Sequence, residues 1–153
     1  MKGFKEVDLQ AAYKLLEGTE AIMVCTKGQK DGQYNVTPYG WFTTYDYDPV
    51  TKVLFSSDPT HQCAHNAKRT EEFAICVPKD SKDPVIFQCG EVSSPDADKF
   101  AQFNIKGEKA SKIDVKVLTE NSRAIIECKL TKVLKESTVE LFLGEAVAAW
   151  EKE

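Results

Sequence analysis

The two histidines of this chain, His61 and His65, flank Cys63 in the stretch Asp-Pro-Thr-His-Gln-Cys-Ala-His-Asn that begins at Asp58. Four residues apart on a helix, the histidines share a face, and Cys63 falls on another. A zinc ion would need two further ligands, and no glutamate turns the segment into a His-Glu-x-x-His motif. A cysteine at a helix N-terminus can be activated as a thiolate, but a histidine two positions along the helix does not face it as a base. The plain alternative is a surface helix that packs Cys63, Ala64 and Ala67 inward. One further chemistry also accounts for the residues before the helix. Phe-Ser-Ser-Asp-Pro-Thr ends a strand in Ser56 and Ser57 and opens the helix with Pro59 and Thr60. The first N–H groups of a helix carry partial positive charge. Ser56, Ser57 and Thr60 add hydroxyls, His61 adds a side chain able to carry charge, and Lys68 or Arg69 could fold back. Together these predict a phosphate cradle, although a capped helix with no ligand carries the same pattern.

The surrounding elements must hold that turn in place. Asp8 is expected to cap a first helix bearing Leu9, Ala12, Tyr13 and Leu16, with Gly18 as its stop. Residues 21–26 read as a buried strand, and Asp31-Gly32 as a hairpin turn. Residues 34–48, rich in threonine and aromatics, read as strand, interrupted by a bend or bulge at Pro38 and Gly40. Strands are expected on either side of the histidine helix, at 52–57 and 72–77. Near Ser94 a helix start is expected, with Ser94 as cap, Pro95 in first position, and Asp96 and Asp98 in the first turn. Residues 123–134 alternate, placing Ala124, Ile126, Cys128 and Leu130 on one side and Glu127 and Lys129 on the other, as in a half-exposed strand. A last strand follows at 138–150. Six or more strands joined mostly by hairpins, with two or three short helices, predict a mainly β (α+β) architecture: a small antiparallel barrel with peripheral helices. The whole chain, 1–153, reads as one domain. Neither a Gly-x-Gly-x-x-Gly motif nor a P-loop is present.

Composition narrows the function classes. The chain has 153 residues, 42% hydrophobic and 29% charged, enough for one buried core. No apolar run approaches the roughly 18 residues of a membrane span, and the N-terminus lacks the apolar stretch of a signal peptide, so no membrane association is expected. A net charge of −4 with scattered Lys and Arg argues against nucleic acid as partner. The five cysteines, Cys25, Cys63, Cys76, Cys89 and Cys128, are odd in number and form no Cys-x-x-Cys. Free thiols and a reducing cytoplasm are therefore expected, with Cys25, Cys76 and Cys128 packing as small hydrophobes.

Four blocks, in order from Tyr34 to Val147, resemble the flavin reductase family, whose members are FMN-binding split β-barrels. The first is Asn35-Val36-Thr37-Pro38-Tyr39-Gly40-Trp41 with the later Asp48-Pro49. The second is the strand, helix and strand from Val53 to Pro78. The third is Cys89-Gly90 with Asp98-Lys99-Phe100, and the fourth is the last strand pair, with Glu127-Cys128 and Gly144-Glu145. The resemblance implies an FMN site. Asn35, Val36, Thr37, Pro38, Tyr39 and Gly40 would free backbone groups for the flavin edge, and Trp41 would pack near the ring or serve as a core aromatic. Ser56, Ser57, Thr60, His61, Gln62 and Cys63 would hold the phosphate, and Asn66 would reach the ribityl chain. Cys63 stands where the family often has Ser or Thr, and a thiol donates hydrogen bonds poorly. Lys99 reads as structural and Cys89 as a buried thiol.

What the resemblance implies for function is an NAD(P)H-dependent flavin oxidoreductase, with NAD(P)H as co-substrate and a homodimer as assembly. Electrons would pass to a redox partner protein or to free flavin. Family members usually run on beyond the Gly-Glu strand, whereas this chain ends at Glu153. The alternative expected from that difference is an FMN-binding electron carrier without NAD(P)H activity of its own. A barrel of the pyridoxamine-phosphate-oxidase type with another ligand, and a metal-binding protein built on His61, Cys63 and His65, are the remaining alternatives.

Overall fold

The computed structural model describes residues 1–153 and contains ten strands, three α-helices and one 3-10 helix. The strands are β1 (Phe4–Glu6), β2 (Ile22–Lys27), β3 (Tyr34–Tyr39), β4 (Phe42–Asp46), β5 (Lys52–Ser57), β6 (Glu72–Pro78), β7 (Glu108–Lys109), β8 (Lys116–Val117), β9 (Ser122–Glu136) and β10 (Val139–Lys152). The helices are α1 (Gln62–Thr70), α2 (Pro84–Gly90) and α3 (Lys99–Gln102), with the 3-10 helix at Ala12–Leu16. The main sheet runs β3-β2-β6-β9-β10-β5-β4, all antiparallel, with β1 added to the end of β10. It curls on itself but does not close, since β3 and β4 each lack a partner on the outer side. This is the split form of the expected barrel.

Local chemistry explains the hairpins. Gly32 adopts φ +74° in the β2–β3 turn, a conformation open to glycine at no steric cost. Gly28 N–H and Gln33 N–H close that turn on Gln33 and Lys30 carbonyls. The β9–β10 hairpin supplies the longest ladder of the molecule. Its bulge at Leu143/Gly144 lets Gly144 pass Phe73, whose ring lies 2.6 Å from where a Cβ would sit. Inside the curl, Phe55 stacks on Phe142 at 5.1 Å and meets Phe73 edge-on at 5.2 Å, and the 3-10 helix and α1 cover this core. A second core lies on the other sheet face, where Val36, Met23, Cys25 and Cys76 pack under α2, α3 and the 105–118 segment.

Several local expectations are corrected. Pro38 does not break β3: it sits in register opposite Met23, and an end strand tolerates a missing N–H. Only Gly40 and Trp41 lie outside strands at that corner. Asp8 does not cap the first helix, which is 3-10 and begins at Ala12 with no side-chain cap. Ser94 likewise caps no helix. Its hydroxyl accepts from Asp96 N–H, and α3 starts later, with Asp98 accepting from Ala101 N–H. The helix α2 was not anticipated, although Asp83-Pro84 is a cap followed by a first-position proline. Glu127 is fully buried rather than solvent-facing. The 104–118 segment covers its side of β9, so the alternation in the sequence does not mark an exposed face.

Candidate functional site

Where the barrel fails to close, β3 and the end of β5 stand opposite each other without a ladder. The Tyr39 hydroxyl and the Ser57 hydroxyl bridge the gap at 2.8 Å, and Ser57 also donates to the Asp58 carbonyl at 3.0 Å. Outside that bridge lies a cleft of about 410 Å³, walled by Pro38, Gly40 and Trp41 on one side and by Ser56, Asp58 and His61 on the other, with Val139 at its edge. One short corner, Gly40-Trp41, thus carries the chain across the split. There the Trp41 carbonyl accepts from Ser56 N–H at 2.9 Å.

The helix start is only partly committed. Asp58 forms a turn before it, its carboxylate accepting from Thr60 N–H and Thr60 Oγ1, both at 2.8 Å. The Thr60 N–H, then the Thr60 hydroxyl, hold the Asp58 carboxyl below the usual carboxylate range. His61 N–H goes to the Asp58 carbonyl, Gln62 N–H to Ser93 Oγ, and the Ala64 and His65 N–H groups return to the His61 carbonyl. That leaves the Cys63 N–H as the open donor of the first turn. The His61 ring borders the cleft with Nδ1 buried and without a partner. A free N–H at a helix start is a donor suited to an anionic oxygen, and the His61 Nδ1 is a second polar atom left without a partner.

The residues singled out in the sequence fall into two main sets, with the exposed Thr60 and the half-buried Gln62 in neither. Pro38, Tyr39, Gly40, Trp41, Ser56, Ser57 and His61 line the cleft. Trp41 is 74% exposed, which excludes the core-aromatic alternative. Asn35, Val36, Thr37, Cys63 and Asn66 are instead buried beside or behind it. Asn35 donates to Thr37 Oγ1 at 3.2 Å, and Asn66 donates to Thr26 Oγ1 at 3.2 Å while accepting from Gln62 Nε2 at 2.9 Å. The Cys63 side chain points into the core, where burial pushes its thiol up to about 11. Its sulfur is therefore turned away from the cleft. Thr60 spends its hydroxyl on Asp58, and Ser57, at 2% exposure, spends its own on the bridge. Lys68 and Arg69 do not fold back: Lys68 pairs with the buried Glu140 at 2.8 Å, and Arg69 bonds Asn66 Oδ1 and the Lys27 carbonyl. Asp58 was missed as a lining residue, although Asp-Pro-Thr at a helix entry is an Asx-turn pattern. His65 is exposed, away from the buried Cys63, and no group of three or more His, Cys, Asp or Glu side chains is arranged for a metal.

Lys99 sits behind the strand that forms one cleft wall. Its ammonium is buried and donates to the Val36 carbonyl at 2.7 Å and the Cys89 carbonyl at 2.8 Å, with Thr37 Oγ1 at 3.4 Å. It therefore ties β3 to the end of α2. Burial lowers its pKa from the ordinary lysine value.

Comparison with known proteins agrees with the split-barrel fold. The model of the flavin reductase like domain matches residues 18–153. A ferric-chelate reductase (NAD(P)H) of Archaeoglobus fulgidus is 27% identical over 143 residues, covering 94% of this chain and 80% of that protein. Among solved structures, an FMN-binding domain of flavin reductases-like enzyme from Shewanella baltica superposes with a TM-score of 0.81 at 22% identity, over 97% of this chain and 77% of the other. Flavoredoxin of Desulfovibrio vulgaris gives a TM-score of 0.79 at 20% identity, over 97% and 78%.

Proposed function

The chain belongs to the flavin reductase like family, and from that premise we propose that it is an FMN-dependent oxidoreductase that takes reducing equivalents from NAD(P)H. The observation that carries the reading is the cleft at the barrel split, with one apolar wall and one donor-bearing wall. FMN has the same two-part character: a flat, largely apolar ring system and a phosphate. His61 and the Cys63 N–H would hold the phosphate, and the Ser56 hydroxyl, which has no partner inside the protein, would add a donor. Trp41 would flank the ring, and the backbone at Pro38–Gly40 would meet its edge. The residues fit the group on one observation in particular: the His61 Nδ1 is buried without a partner beside the cleft, and a phosphate oxygen would supply one.

Bound there, FMN would supply two-electron chemistry that no side chain of this protein offers. The protein's own part is positioning. The Tyr39–Ser57 bridge fixes the cleft floor, Lys99 fixes the strand behind it, and the Asp58–Thr60 turn aims the helix start. The similarity to the Archaeoglobus ferric-chelate reductase (NAD(P)H) supports NAD(P)H as donor. The reading extends to a homodimer, because Tyr45 on the end strand β4, with Trp41 before it and Tyr47 after it, leaves aromatic surface exposed that a second copy would cover. The five free cysteines suit a reducing cytoplasm, and no helix is long and apolar enough to cross a membrane.

Purified protein should be yellow, release FMN on denaturation, and bleach rapidly when mixed with NADH or NADPH under anaerobic conditions. Bleaching by dithionite but not by either nucleotide would leave a flavin-binding electron carrier. Colourless protein that takes up no added FMN would reject the reading altogether.

A further inference from the structure

On the other side of the Pro38–Gly40 segment, against α2, lies a second cleft of about 430 Å³, whose remaining walls are Ala21, Ile86, Phe87, Gly90 and Glu91. We propose that this cleft binds a planar aromatic ring that carries no negative charge. The site stands on these walls; only its nearness to a flavin rests on the reading above.

Four observations converge on that ligand. Phe87 is 63% exposed, although it lies on a helix whose Ile86 and Cys89 are buried, so its ring is an apolar wall without a partner. Its face is available for stacking. The wall is also preformed. Gly90 lets α2 rest on Pro38, whose Cγ would lie 3.1 Å from an added Cβ, and Lys99 ties the Cys89 carbonyl to the Val36 carbonyl across the same joint. Charge then sets the ligand class. No lysine, arginine or histidine lines the cleft, Glu91 does, and α2 presents its C-terminal end there. A carboxylate and a helix C-terminus both repel anions. A phosphate or carboxylate ligand would meet Glu91 with no basic side chain beside it, whereas in the first cleft Asp58 is accompanied by His61. Finally, Gly40 belongs to both clefts, and the nearest atom to an added Cβ there is the Glu20 carbonyl oxygen at 4.0 Å. The ridge between the clefts carries no side chain at that point, so occupants of the two would be separated there by backbone alone.

The test uses 2-naphthamide and 2-naphthoate, which share one ring system and differ in charge. Each is dialysed to equilibrium against the full chain, with and without FMN. The proposal expects saturable 2-naphthamide binding in both states, with 2-naphthoate weaker by about ten-fold or more. Phe87→Ala should weaken 2-naphthamide by roughly three- to ten-fold, and Glu91→Lys should narrow or reverse the preference over 2-naphthoate. FMN titration curves should be unchanged in both variants. No saturable binding, equal binding of the two probes, indifference to Phe87→Ala, or full displacement of 2-naphthamide by FMN would each overturn it. If FMN fails to bind while 2-naphthamide binds in the Phe87-dependent way, the flavin reading falls and this site remains.

Discussion

His61 and Glu127 show how differently two polar side chains can be used in one small barrel. His61 has a buried nitrogen with no partner, at the edge of a cleft. Its truncation should cost ligand affinity and little stability: His61→Ala is expected to weaken FMN binding by about five- to ten-fold, read by quenching of flavin fluorescence, while the urea midpoint stays put. A shifted midpoint with unchanged affinity would make His61 structural. Glu127 is the opposite case. It is fully buried and saturated, accepting from Ser111 Oγ at 2.6 Å, Lys112 N–H at 2.6 Å and Trp150 Nε1 at 2.8 Å, with longer contacts from Ser111 and Ile113 N–H. Burial alone would raise its carboxyl, but these hydrogen bonds, led by the Ser111 hydroxyl, outweigh burial and lower it. With its folded pKa depressed, the stability it contributes is fully present above about pH 4.5 and is lost as pH falls through the lower folded value. Glu127→Ala should destabilise the fold by roughly 3 kcal/mol at neutral pH. It should also flatten the acid limb of stability against pH below that point. An acid limb identical to the parent's would contradict the assignment.

At the scale of elements, the decisive feature is the β9–β10 hairpin and the bulge that bends it. Gly144 sits where a Cβ would meet both the Phe73 ring at 2.6 Å and the Lys129 carbonyl at 3.0 Å. Gly144→Ala should therefore cost about 1 to 3 kcal/mol by overpacking, measured by chemical unfolding, and Phe73→Leu in the same chain should recover part of that loss. Additive losses would mean the two residues do not meet. Elements of this kind were legible in the sequence where one physical rule acted alone, as at Asp31-Gly32, whose turn needs a positive φ. The sequence misled where tertiary cover changed the rule. Glu127 reads as solvent-facing until the 104–118 segment closes over it. Pro38 reads as a strand breaker until β3 proves to be the end of the sheet. Asp83-Pro84 is a helix start in a stretch too short and apolar to show a helical period.

For the whole molecule, the question is why a barrel should stop short of closing. The gap between β3 and β5 replaces ladder hydrogen bonds with one side-chain bridge, Tyr39 to Ser57, and leaves a cleft outside it. A strand ending in hydroxyls before a helix is a local signature, and it identified Ser56, Ser57 and His61 at that gap; Pro38, Tyr39, Gly40 and Trp41 came only from the family resemblance. Sequence pattern could not separate those facing the cleft from those turned inward: Cys63 and Asn66 share the helix with His61, and only packing decides which way each points. The central claim is that this gap recognises the phosphate of a flavin nucleotide. Calorimetric titration of flavin-free protein with FMN and with riboflavin, which lacks only the phosphate, tests it most directly. The account predicts that FMN binds at least about ten-fold more tightly than riboflavin, with the difference reduced in His61→Ala. Equal affinity for the two, or a difference untouched by that substitution, would contradict it.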